Sequence, residues 1–99
     1  QRGRGKGIKI ITADELKAIL KDKDKIFIDV RTPNEYKARH IPQFRNIPLG
    51  SDFSIVPKEK EVVVICQSGM RSAKACRLLK KLGYEKVTNV KGGMNAWRG

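Results

Sequence analysis

The sequence predicts an α/β fold in which helices flank a central, mainly parallel sheet of five strands. Three observations predict it. Strand-like and helix-like segments alternate along the chain and are joined by short loops, the order that builds parallel sheets. In Glu61–Ile65 the residues Val62, Val63, Val64 and Ile65 are apolar without alternation, a pattern that calls for burial on both faces of a strand. Two segments, Thr12-Ala13-Asp14-Glu15 and Thr32-Pro33-Asn34-Glu35, read as capping boxes, in which the threonine hydroxyl and the glutamate carboxylate satisfy each other's orphan backbone donors and start a helix.

Each element follows in order. Ile8–Ile11 reads as the first strand. The Thr12 box opens a helix running to about Leu20, with Leu16, Ile19 and Leu20 on its buried face. Lys25–Val30 is the second strand, set off by the charged turn 21–24. The Thr32 box has proline at the first helical position, where its missing N–H is no loss, and that helix ends near Arg39. Ile41-Pro42 begins an extended stretch, and 46–49 holds a short third strand. Residues 50–57 hold a turn and one helical turn. Glu61–Ile65 is the fourth strand. Arg71–Leu82 is the clearest helix, with Ala75, Leu78, Leu79 and Leu82 on one side and Gly83 as its C-terminal cap. Lys86–Val90 is the fifth strand, Gly92-Gly93 a tight turn, and Met94–Trp97 the start of a final helix.

A chain of 99 residues holds one small domain. Residues 1–7 alternate basic residues with glycine and read as a flexible basic arm, or as the leftover of a linker or tag; 8–99 form the domain. No apolar run approaches the roughly 20 residues of a membrane span, so no membrane partner is expected. The net charge is +12. Such a surface attracts nucleic acid, acidic partners or small anions; a solvated face is the plainer reading, and nucleic acid is not expected as a partner. Two cysteines, Cys66 and Cys76, are too few for a disulfide scaffold and lack metal-type spacing. No metal site is expected from them. A reducing compartment, the cytoplasm, fits this cysteine usage, with a signal removed ahead of Gln1 left open.

The segment Cys66-Gln67-Ser68-Gly69-Met70-Arg71 joins the buried strand to the long helix. In open α/β sheets the binding site lies at the carboxyl ends of the strands. Backbone N–H groups at a helix N-terminus make an anion nest, and Arg71 adds a full positive charge. Both favour thiolate, so Cys66 should ionise more readily than an ordinary thiol. Gly69 supplies the positive φ that a tight loop needs. Asp29, at the end of the second strand, is a candidate to orient the loop amides or Arg71, with a helix-cap or turn carboxylate as the alternative.

These residues carry a resemblance. Ile26-Phe27-Ile28-Asp29-Val30-Arg31-Thr32-Pro33-Asn34-Glu35-Tyr36 followed by His40-Ile41-Pro42 resembles the first signature of rhodanese domains. Val63-Val64-Ile65-Cys66 with Gly69 and Arg71 resembles the family's active-site loop, and Gly92-Gly93-Met94-Asn95-Ala96-Trp97 its terminal signature. The resemblance implies a rhodanese-like sandwich and a sulfurtransferase that needs neither metal nor organic cofactor. Cys66 would take the outer sulfur of a small anionic donor, thiosulfate or a persulfide, hold it as a persulfide, and yield it to cyanide, a thiol or a protein acceptor. Gln67 to Arg71 would form the loop that binds the donor. Six residues run from Cys66 through Arg71; the related phosphatases carry one more, which widens the cradle for a phosphate. Gln43-Phe44-Arg45 departs from the small pair, often Gly-Ala, that commonly follows His-Ile-Pro.

Other residues read as structural. Arg31 and Glu35 are expected to pair at the start of the second helix. His40, the sole histidine, tempts as a general base, but a thiolate held by a nest needs none. Cys76 is expected to be buried on the Ala75/Leu79 face, with a resolving cysteine as the alternative. Trp97 is expected to pack in the core.

Overall fold

The computed structural model describes residues 7–99. The expected arm therefore lies, apart from Gly7, outside the described residues. Five strands, β1 (Ile8–Ile11), β2 (Lys25–Asp29), β3 (Arg45–Asn46), β4 (Glu61–Ile65) and β5 (Val87–Val90), alternate with four helices, α1 (Ala13–Ile19), α2 (Pro33–Ala38), α3 (Met70–Lys81) and α4 (Gly93–Ala96). A 3₁₀ turn covers Phe53–Ile55. The strands form one sheet in the order β1-β5-β4-β2-β3. Every pairing is parallel, which sharpens the expectation of a mainly parallel sheet. No helix of the described residues is long and apolar enough to cross a membrane.

Both capping boxes form. The Thr12 and Thr32 hydroxyls accept from the Glu15 and Glu35 N–H groups, and each glutamate accepts from its threonine's N–H. β4 feeds both layers of core: Val62 and Val64 pack with Ala75 and Leu79 of α3, whereas Val63 and Ile65 pack with Leu16 of α1 and Met94 of α4. Burial on both faces is what the unbroken valine run required. Phe44, the bulky departure after His-Ile-Pro, is 2% exposed and tilts against Phe27 with ring centroids 5.2 Å apart. Trp97 packs partly buried against the same layer.

Two expectations are corrected. The third strand is shorter and earlier than 46–49, because only Arg45 and Asn46 stay in register with β2. Beyond them Ile47 and Leu49 still donate to the Asp29 and Val30 carbonyls, from an irregular backbone. On α3 the buried side is Ser72, Ala75, Cys76 and Leu79. Leu78 and Leu82 are instead exposed, by 38% and 46%.

Candidate active site

Cys66 follows the last residue of β4, at the carboxyl end of the sheet. It is fully buried. The backbone turns at Gly69, the N-cap of α3, with φ +105°, a left-handed conformation that glycine adopts without a side-chain clash. The Gly69 N–H donates to the Cys66 sulfur at 3.0 Å. Burial pushes the Cys66 thiol up, but the Ser72 hydroxyl and the backbone N–H groups of Ser72, Gly69 and Ser68 outweigh it, leaving the thiol below its ordinary value. Hydrogen bonds to the charged form are the cause. Ser68 and Met70 turn to solvent, Met70 by 78%.

The loop's N–H groups face inward because its carbonyls are captured outside. The Met94 N–H donates to the Cys66 carbonyl at 2.8 Å and the Asn95 N–H to that of Gln67 at 2.9 Å. The first turn of α4 thus spends its orphan donors on the loop. The Gln67 side chain is fixed at both ends: its Nε2 donates to Asn95 Oδ1 at 2.7 Å, and its Oε1 accepts from Arg31 Nη1 at 3.1 Å. Arg31 is in turn gripped by Asp29, through Nε at 3.0 and 3.1 Å and Nη2 at 2.8 Å. Asp29 and Arg31 are 0% and 3% exposed. A buried charge pair needs its remaining hydrogen bonds satisfied, and Gln67 and the Arg39 carbonyl satisfy those of the guanidinium. Asp29 therefore reaches the loop through Arg31 and Gln67, not through Arg71.

Arg71 has a different anchor from the expected one. Its Nη1 and Nη2 donate to the two carboxylate oxygens of Glu35 at 2.8 and 3.0 Å. The expected Arg31–Glu35 pair is absent, because Arg31 is committed to Asp29. Glu35 caps α2 and holds Arg71 with the same carboxylate, and the Arg71 hydrogen bonds together with the Thr32 N–H lower its pKa to about 2. Its ionised form is thus favoured in the folded state. The pair's stabilisation is fully present above the ordinary carboxylate range and is lost as pH falls toward 2. Both side chains are about one-third exposed, so Glu35→Gln should cost no more than about 1 kcal/mol at pH 7. Urea melts should show that difference vanishing near pH 2; a cost persisting there would assign the effect to the cap alone.

Ser72 is the residue that the sequence reading missed. It is fully buried, and its hydroxyl meets the Asn89 amide oxygen at 2.5 Å and the Gly69 carbonyl at 3.2 Å. Its signal was a lone serine directly after Arg71, in the first turn of a helix whose other small residues are alanines. Its one hydroxyl proton can serve either the Asn89 oxygen or the Cys66 thiolate; where it serves the thiolate, Ser72→Ala should raise the Cys66 pKa and slow alkylation of Cys66 by iodoacetamide at pH 7 by about tenfold, the worth of one hydrogen bond to a charged group. Unchanged alkylation would leave the backbone N–H groups as the sole stabilisers. Cys76 is buried, with its thiol pushed up to about 12 by burial above all, the state of an inert core cysteine. His40 is exposed, stacks on Tyr36 and bonds the Tyr36 carbonyl through Nδ1. Among the described residues no group of three His, Cys, Asp or Glu side chains stands together as a metal site.

Known proteins carry the same plan. The Rhodanese-like domain profile matches residues 12–99. A sulfurtransferase of Allochromatium vinosum is 37% identical over 91 residues, 88% of this chain and 85% of that protein. A Bacillus subtilis protein provisionally named a sulfurtransferase is 41% identical over 93 residues, 91% of this chain and 89% of that one. The crystal structure of a rhodanese-like domain protein from Staphylococcus aureus superposes with a TM-score of 0.81 at 36% identity, covering 91% of both chains. The parallel sheet, the cysteine loop at its carboxyl edge and these matches agree, and the chain belongs to the rhodanese-like domain family.

Proposed function

We propose that this protein is a sulfurtransferase that moves a sulfane sulfur from an anionic donor, thiosulfate or a persulfide, to a thiophilic acceptor, cyanide or a thiol, through a persulfide on Cys66. Sulfur transfer is the class of activity that the relatives support; the observation that carries the finer reading is a fully buried cysteine at a strand end whose sulfur accepts from the Gly69 N–H at 3.0 Å, at the N-terminus of α3. The Cys66 thiolate attacks the donor's outer sulfur, a new S–S bond forms, and the donor's own S–S bond breaks to release sulfite or a thiolate. The second nucleophile then attacks the terminal sulfur of Cys66–S–S⁻, and Cys66 leaves as thiolate. This is double-displacement covalent catalysis. Donors preset toward the developing anion stabilise it at no cost of reorganisation. The buried position of Cys66 suits a slim, end-on sulfur better than a bulky tetrahedral group.

Incubation with thiosulfate, followed by intact-mass measurement, tests the reading. The protein should gain one sulfur atom, mapped to Cys66 and removed by cyanide. No gain from thiosulfate or from glutathione persulfide would overturn it.

A further inference from the structure

We propose that the outward face of α3 is the docking surface for the sulfur acceptor, and that this acceptor is an acidic protein presenting apolar side chains between its carboxylates. The proposal rests on the sulfur-transfer reading and names the partner class for that same site.

The face begins at the cysteine loop. Met70, Lys74, Arg77, Leu78, Lys81 and Leu82 recur at the spacing of one helical stripe. All six are exposed, the apolar three by 78%, 38% and 46% for Met70, Leu78 and Leu82. Lys74, Arg77, Leu78 and Lys81 line a groove of about 220 Å³. No Asp or Glu lies between Met70 and Gly83. Among the described residues Lys74, Arg77 and Lys81 make no ion pair, and residues 1–6 contain no carboxylate that could supply one.

Two properties of this stripe select the partner. Its unbalanced positive charge attracts and orients an anionic surface. Its interleaved Met and Leu side chains gain only from a partner that covers them with apolar atoms. Phosphates of a nucleic acid would meet the cations and leave Met70, Leu78 and Leu82 wet; an acidic, amphipathic protein surface meets both. A partner lying along the roughly 18 Å of a 12-residue helix has one end at the loop that holds Cys66. There its thiolate attacks the outer sulfur of Cys66–S–S⁻, the new S–S bond forms on the acceptor, and Cys66 departs as thiolate.

The test discharges the persulfide-loaded protein with three nucleophiles. Dithiothreitol, small and uncharged, should work equally on all variants. A short helical peptide with Glu and Leu on one face and a terminal Cys should discharge it about tenfold faster than the same peptide with Lys for Glu, at low salt. That advantage should disappear in Lys74→Glu/Lys81→Glu and shrink several-fold in Leu78→Ser/Leu82→Ser, with circular dichroism melts confirming folding. Equal rates for the two peptides, or an advantage that survives the charge reversal, would overturn the docking surface. So would an RNA hairpin whose binding is lost on charge reversal but untouched by Leu78→Ser/Leu82→Ser, which would assign the face to nucleic acid. Failure of dithiothreitol to discharge the wild type would instead strike the persulfide chemistry itself.

Discussion

Replacing Cys66 with serine should abolish sulfur transfer, by at least about a thousandfold in turnover, while leaving the domain folded. A serine hydroxyl is a far weaker nucleophile than a thiolate and cannot carry a persulfide. The fold should survive because the new hydroxyl lies where the Gly69 N–H already donates, so it is not left as an unpaired buried polar group. Thiosulfate:cyanide turnover, read beside a thermal melt, checks both halves. Activity near the wild-type rate in a folded Cys66→Ser protein would remove Cys66 from the chemistry and with it the proposed mechanism.

Gly93→Ala should be the most damaging substitution outside the cysteine loop. Gly93 has φ +55°, and a Cβ there would lie 2.2 Å from the Cys66 carbonyl oxygen and 2.8 Å from the Gln67 carbonyl carbon and oxygen. These are backbone atoms of the loop itself, so no side chain can swing aside. The left-handed conformation costs a non-glycine residue about 1–2 kcal/mol, and forced overpacking about 1–3 kcal/mol more. Against a total stability of about 5–15 kcal/mol, the melting temperature should fall by more than about 10 °C. The loop should also shift, weakening the Met94–Cys66 and Asn95–Gln67 bonds and raising the Cys66 pKa. Gly50→Ala is the control, since Gly50 has φ +101° but nothing within 4 Å of its added Cβ. Equal losses for the two variants would show that strain alone, without the close approach to the loop, explains Gly93.

Local chemistry was legible in the sequence; partnerships across the chain were not. The unbroken valines of β4 announced a doubly covered strand, and the two Thr-x-x-Glu boxes placed the starts of α1 and α2 because capping is settled within four residues. Cys66 between a buried strand and a helix start was recognisable on the same terms. The α3 face was misread because the segment holds apolar residues at more positions than one stripe requires. Cys76 was rightly placed on the buried Ala75/Leu79 side, but periodicity alone could not tell that Ser72 completes that side and that Leu78 and Leu82 leave it. Arg31–Gln67 and Arg71–Glu35 each join residues 36 positions apart, and no local pattern announces such a pair. For Arg31, the nearer Asp29 carboxylate won over the helix-start glutamate.

The order of the sheet sets when this site can exist during synthesis. β5 is made after the other four strands of the sheet, yet it lies between β1 and β4, and the loop's outer anchor Asn95 comes 28 positions after Gln67. At roughly 5–20 residues per second, the ribosome takes on the order of 1–6 seconds to add that stretch. Until β5 is made β1 has no neighbour in the sheet, and until Met94 and Asn95 are made the Cys66 and Gln67 carbonyls lack the N–H groups that turn the loop's amides inward. A nascent chain should therefore carry a cysteine of ordinary thiol character, whose reactivity rises once the sheet closes around β5. Electrophiles and oxidants that trap low-pKa thiols should consequently find Cys66 in finished molecules and pass it over in unfinished ones.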